Sequence, residues 1–170
     1  MRGDRMMRKT VLSLVLLVTG CAANGALVEG RDPFKGPVRG FARYLDAGHY
    51  TSVGMTQSAG KNSLQVMVVQ NGQVNFVGHA GDKGEFKLGD NTITLAATGE
   101  SQPVTNATRY QVFTQWIVSY ELTPAQLLEF SRAPLAAVKV SLGDQFYQLA
   151  LSDDDAALIR QNAASLASTK

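Results

Sequence analysis

From about Phe41 onward the sequence predicts an α+β domain: an antiparallel twisted sheet or incomplete β-sandwich, with two helices in the carboxyl-terminal half. Three observations predict it. Apolar residues recur with period two over most of 41–151, as half-buried strands require. Turn-forming dipeptides separate those runs, and two hydroxyl-capped helix starts fall after residue 120. A chain of 170 residues fits one domain, 41–170, preceded by two short segments, 1–20 and 21–40.

Leu64, Val66 and Val68 alternate with Gln65, Met67 and Val69, and Val74 and Phe76 resume the pattern after Asn71-Gly72. Asn-Gly supplies the two positive-φ positions of a type I′ turn, so a hairpin is expected there. A second should join Glu85–Leu88 to Thr92–Leu95 through Gly89-Asp90-Asn91, and a third Val138–Leu142 to Phe146–Leu149 through Gly143-Asp144. Between them runs the longest strand, Arg109 to Leu122. Tyr110, Val112, Trp116, Val118, Tyr120 and Leu122 should share one face, while Phe113 and Ile117 interrupt the polar other face, the pattern of a central strand. About seven to nine strands are expected in all.

The first helix should start at Thr123, with Pro124 at its first position, Gln126 closing a capping box and Leu122 and Leu127 forming a hydrophobic staple. Pro134 should stop it near Arg132. Ser152 should cap the second helix, with Asp153, Asp154 and Asp155 in its first turn and Ile159, Ala163 and Leu166 facing inward.

Ahead of the domain, Arg2, Arg5, Arg8 and Lys9 precede an apolar run from Val11 to Val18, and Val18-Thr19-Gly20-Cys21 ends it with the sole cysteine. A charged flank, a short apolar run and small residues are the parts of a secretory signal. The run is about half of the ~20 residues a membrane span needs. These four residues resemble the lipobox of bacterial lipoprotein precursors. That resemblance implies cleavage before Cys21, acylation of its thiol and amino terminus, and a permanent anchor, since each buried methylene contributes ~0.8 kcal/mol. Because Ala22 follows Cys21 where many lipoproteins of the inner membrane carry aspartate, the resemblance implies an outer-membrane address facing the periplasm. Residues 21–40, with Gly25, Gly30, Pro33, Gly36, Pro37 and Gly40, then read as a lipidated tether, on which Phe34 and Val38 could dock. Met6 and Met7 offer alternative starts.

The charge of +2 belongs to the precursor. Removing four basic residues and one acidic residue leaves a chain near −1, which argues against a nucleic-acid partner. With Cys21 acylated no disulfide can form, so a hydrophobic core must supply the stability. The partners expected are the membrane, through the lipid anchor, and a protein of the envelope.

No catalytic motif emerges. Asp153-Asp154-Asp155 could bind a hard cation, but consecutive carboxylates on a helix start diverge, and complementing the helix dipole explains them. His49 and His79 stand thirty residues apart without neighbours at metal spacing. No serine sits in G-x-S-x-G or S-x-x-K. Gly78-His79-Ala80-Gly81-Asp82-Lys83-Gly84 lacks phosphate-loop spacing and reads as a flexible turn, with a binding surface as its alternative role. Asn106-Ala107-Thr108 matches a glycosylation sequon that has little meaning in a bacterial chain. Trp116, Tyr110 and Tyr120 could form an aromatic platform, though core packing suits their apolar company. No cofactor, metal or catalytic residue is assigned. The expectation is a non-enzymatic binding or assembly module, with a periplasmic hydrolase or a small-ligand carrier as alternatives.

Overall fold

The computed structural model describes residues 24–45 and 51–168. The elements are β1 (Val28–Asp32), β2 (Gly36–Tyr44), β3 (Ser52–Ser58), β4 (Lys61–Asn71), β5 (Lys83–Leu88), β6 (Asn91–Ala96), β7 (Val104–Ala107), β8 (Val112–Leu122), α1 (Pro124–Arg132), β9 (Leu135–Leu142), β10 (Gln145–Ala150) and α2 (Asp153–Ala167). Six strands form one sheet in the order β1-β2-β3-β4-β8-β7, and four form a second in the order β10-β9-β5-β6. Every pairing is antiparallel, and the sheet curls as a half-barrel. The α+β class is therefore as the sequence predicts, with ten strands among the described residues rather than seven to nine.

The expected hairpin at Asn71-Gly72 does not form. β4 is already paired along one edge by β3 and along the other by β8, so residues 74–76 have no free edge to join. Instead the Thr114 hydroxyl, fully buried on β8, donates to the Gly72 carbonyl at 2.8 Å and accepts from the Val74 amide at 3.1 Å. Those bonds steer the chain across β8. Phe76 then stacks on Trp116 with ring centroids 4.5 Å apart, and the indole N–H donates to the Phe76 carbonyl at 3.0 Å. The true partner of β4 turns at Ala59-Gly60, with φ of 50° and 75°. Two positive φ values define the type I′ geometry, but an alanine there gave the sequence no signal.

The expected tether over 21–40 is, from Val28, part of the sheet. β1 and β2 form a hairpin in register from Val28↔Gly40 to Asp32↔Gly36, and β2 lies along β3. Glycine suits this site because a Cβ at Gly40 would stand 2.8 Å from the Met55 carbonyl oxygen. Of the glycines that suggested a spacer, Gly40 serves close strand approach and Gly36, with φ +82°, serves the turn between β1 and β2. Residues 1–23, with the signal and Cys21, and His49 lie outside the described residues.

The other expected elements stand, except that the long strand β8 begins at Val112 and not at Arg109, with Val112 exposed instead of buried with the expected face. β5 pairs β6 and β9 pairs β10 as hairpins. Trp116, Val118, Tyr120 and Leu122 of β8 share a buried face, and Phe113 and Ile117 are half-buried on the other. At α1 the Thr123 hydroxyl accepts from the Gln126 amide at 3.2 Å, and the Gln126 side chain accepts from the Thr123 amide at 2.9 Å. Leu127 and Phe130 face a single core shared by both sheets and by Ile159, Ala163 and Leu166 of α2. No helix among the described residues is long and apolar enough to cross a membrane.

Candidate functional site: an apolar slot between the sheets

Where β3 and β4 face β9 and β10, the two sheets leave a cavity of about 90 Å³. Val53, Val66, Val68 and Val69 form one wall, and Val138, Val140 and Leu149 the other. Strand alternation explains the lining: Val66 and Val68 point to the inner face of β4, as do Val138 and Val140 from β9, and valine is favoured on a pleated surface. Thr51, Tyr147 and Gln148 supply the polar part of the rim. Tyr147 is held in place by its hydroxyl, which donates to the Gln70 side chain, and by the Phe76 and Trp116 rings, each with its centroid 6.2 Å away. Partial burial pushes its phenol above the usual tyrosine value.

Size decides what such a space can hold. Pockets for drug-sized ligands run to roughly 300–1,000 Å³, and an apolar cavity of about 150 Å³ accepts benzene. The slot is smaller than both. An apolar wall also gives water few partners, and a buried water makes about three hydrogen bonds. One aliphatic side chain or a short alkyl segment matches both the volume and the lining.

The residues singled out in the sequence lie elsewhere, and two of the carboxylates among them, Asp82 and Asp155, are engaged in holding the fold. Asp153 and Asp154 are exposed, but Asp155 is buried. Its Oδ1 accepts from Arg43 Nε at 2.5 Å, its Oδ2 accepts from the Ser152 hydroxyl at 2.7 Å, and its amide donates back to Ser152 Oγ at 3.2 Å. Dipole complementation thus describes two of the three aspartates; the third is a tertiary ion pair. The 78–84 segment contains a turn at residues 80–81 and is tied to its surroundings by hydrogen bonds. Asp82 Oδ2 accepts from the His79 amide at 2.8 Å and the Gly143 amide at 2.7 Å, and Gly78 exchanges two backbone bonds with Ser101. His79 itself is exposed. Asn106 lies on β7 beside the exposed turn of residues 108–111.

The aromatic platform is also corrected. Tyr110 is 89% exposed on the β7–β8 turn, whereas Trp116 and Tyr120 are fully buried. The strand starts late because Thr108 Oγ1 accepts from the Tyr110 and Gln111 amides and closes a turn. Tyr120 lies against the bare backbone of Gly84, where an added Cβ would be 2.6 Å from its ring. Its hydroxyl has no hydrogen-bond partner among the described residues, and burial, with the charge of Asp82 as a lesser cause, pushes its ionisation well above the usual tyrosine range. No group of three His, Cys, Asp or Glu side chains among the described residues is arranged to hold a metal ion. Comparison with protein-family models, with curated proteins and with solved structures finds no match for this chain.

Proposed function

We propose that this chain is a lipoprotein of the bacterial envelope, anchored through Cys21 at the periplasmic face of the outer membrane, whose domain is a non-enzymatic binding or assembly module. The single observation that carries the binding role is the apolar slot, which fits an aliphatic side chain presented by a protein partner. Side-chain anchors that fill small pockets dominate interface energetics. A chain near neutral charge with an apolar receptor point suits contact with another protein better than capture of a charged polymer.

The test is recovery of partners from crosslinked envelopes with the mature, lipidated protein as bait, repeated with Leu149→Arg. Leu149 is half-buried at the slot wall, so the variant blocks the slot from its accessible side. A partner retained by the parent and lost by the variant, with thermal unfolding unchanged, supports the proposal. Equal recovery by both sinks it, as does turnover of an envelope substrate with no partner.

The same slot also favours a second reading, a carrier of a small apolar molecule. Native mass spectrometry of the detergent-released protein separates the two: a retained alkyl-bearing mass that Leu149→Arg abolishes would favour the carrier.

A further inference from the structure

The chain enters the domain at a fixed point. The Asn24 side-chain oxygen accepts from the Tyr44 amide at 2.7 Å, the Gly25 amide donates to the Ala42 carbonyl at 2.9 Å, and the Gly25 carbonyl accepts from Asn162 Nδ2 at 2.6 Å. Gly25 has φ +88°, and a Cβ there would stand 2.3 Å from Leu158 Cδ2, so glycine is required twice over. Cys21 precedes Asn24 by three residues, a reach of at most about 10 Å.

Strand register shows what shares that end of the sheet. Tyr44 is level with Ser52, Ser52 with Met67, and Met67 with Ile117. Beyond that level β4 continues to Asn71 and β8 begins at Val112, so the β7–β8 turn projects further out on the same side as Asn24. Four residues of strand are about 14 Å, comparable with the reach to Cys21. By contrast the β1–β2 turn, carrying Phe34 at 97% exposure, lies at the opposite end, beside Ala59-Gly60.

The projecting turn is built to hold an aromatic in water. Thr108 closes it, the Gln111 side chain donates to Asn71 Oδ1 at 2.5 Å, and the Gly72 amide donates to the Val112 carbonyl at 2.8 Å. On it Tyr110 is exposed, with the Arg109 guanidinium 5.8 Å from its ring centroid, and Val112 beside it is 42% exposed. Residues 101–120 include no Asp or Glu, so Arg109 is the one charge in that stretch, which holds β7 and the turn.

We infer that this end of the sheet faces the phospholipid surface, with Tyr110 seated at headgroup depth and Arg109 on lipid phosphates. The inference rests on the proposed Cys21 anchor and adds the orientation the domain takes on it. An amphipathic aromatic ring settles at the membrane interface, and guanidinium binds phosphate through paired N–H donors. The contact need not be strong alone, because a three-residue link holds the turn at high effective concentration over the bilayer.

The experiment places the mature lipidated protein in phosphatidylethanolamine–phosphatidylglycerol vesicles with brominated acyl chains. Tyr110→Trp and Phe34→Trp are compared after subtracting the emission of the parent, whose Trp116 is buried. Both sites are exposed, so neither substitution disturbs the core. The expected result is roughly twofold quenching at position 110 and none at position 34, as interfacial depth requires. Flotation with the vesicles but equal or absent quenching at the two positions overturns the orientation while leaving the anchor standing. Failure to float overturns the anchor, and the orientation with it.

Discussion

Both helices begin on a hydroxyl cap, yet the two starts are tied to the fold in different ways. At α1 the Thr123–Gln126 box is exposed and closes within four residues. At α2 the equivalent residue, Asp155, closes the cap with Ser152 and also reaches Arg43, 112 residues away on β2. A cap that stays local stabilises one helix. A cap that spends its second carboxylate oxygen on a distant strand fastens the carboxyl-terminal helix to the arm beside β2, because Arg43 Nη1 also donates to the Asn24 carbonyl at 3.3 Å.

The largest test of this difference is Asp155→Ala, which takes the carboxylate away from Arg43 and from the Ser152 hydroxyl while leaving the amide of residue 155 bonded to Ser152 Oγ. Breaking a buried pair costs about 3–5 kcal/mol; because the Arg43 side chain is 25% exposed, about 2–3 kcal/mol is expected in urea unfolding. A loss below about 1 kcal/mol would show that the pair behaves like a surface bridge. In a double-mutant cycle, Arg43→Ala and Asp155→Ala should be non-additive by about 1 kcal/mol or more. Thr123→Ala should cost about 1 kcal/mol, and its effect should add independently to either of those substitutions. Coupling between Thr123 and Arg43 would erase the contrast drawn above.

Tyr120 supplies the complementary case, a buried polar atom with no partner among the described residues. Tyr120→Phe removes an unsatisfied hydroxyl while keeping the ring against Gly84 and Phe86, so stability should be unchanged or rise by up to about 1 kcal/mol. The pH dependence has a definite sign. In the folded chain this phenol keeps its proton above the unfolded value near 10, so its contribution is complete below pH 10 and falls as pH rises beyond it. Stability of the parent should therefore decline above about pH 10, and less steeply in the variant. The smallest effect is expected from Asp153→Asn, an exposed charge near the dipole of α2, at about 0.3–0.5 kcal/mol and fading with added salt.

What the sequence disclosed follows the range of the interaction. Thr123, Pro124 and Gln126 specify a helix start among themselves, and Gly143-Asp144 sits between two strands that have no nearer alternative. Asn71-Gly72 carries an equally strong local signal and fails, because β4 takes its neighbours from β3 and from β8, some fifty residues downstream in pairs such as Val66↔Val118. The arm from Val28 to Gly40 escaped because its glycines and prolines resemble linker chemistry, while the neighbour that requires Gly40 small, β3, lies elsewhere in the chain. The slot was hidden for the same reason. Its valines read as ordinary strand core, and only the meeting of β4 with β9 leaves a gap between them. Arg43–Asp155 had no sequence signal, since nothing in a run of three aspartates says which one turns inward.

The pinned entry at Asn24 and Gly25 has a mechanical consequence. Tension applied through the proposed Cys21 anchor would be delivered at once to β2 and, through Asn162, to the middle of α2, so load is shared between the ends of the chain instead of peeling the amino-terminal strand. Shortening α2 before Asn162 should therefore lower the force at which the domain yields when drawn away from its amino-terminal side.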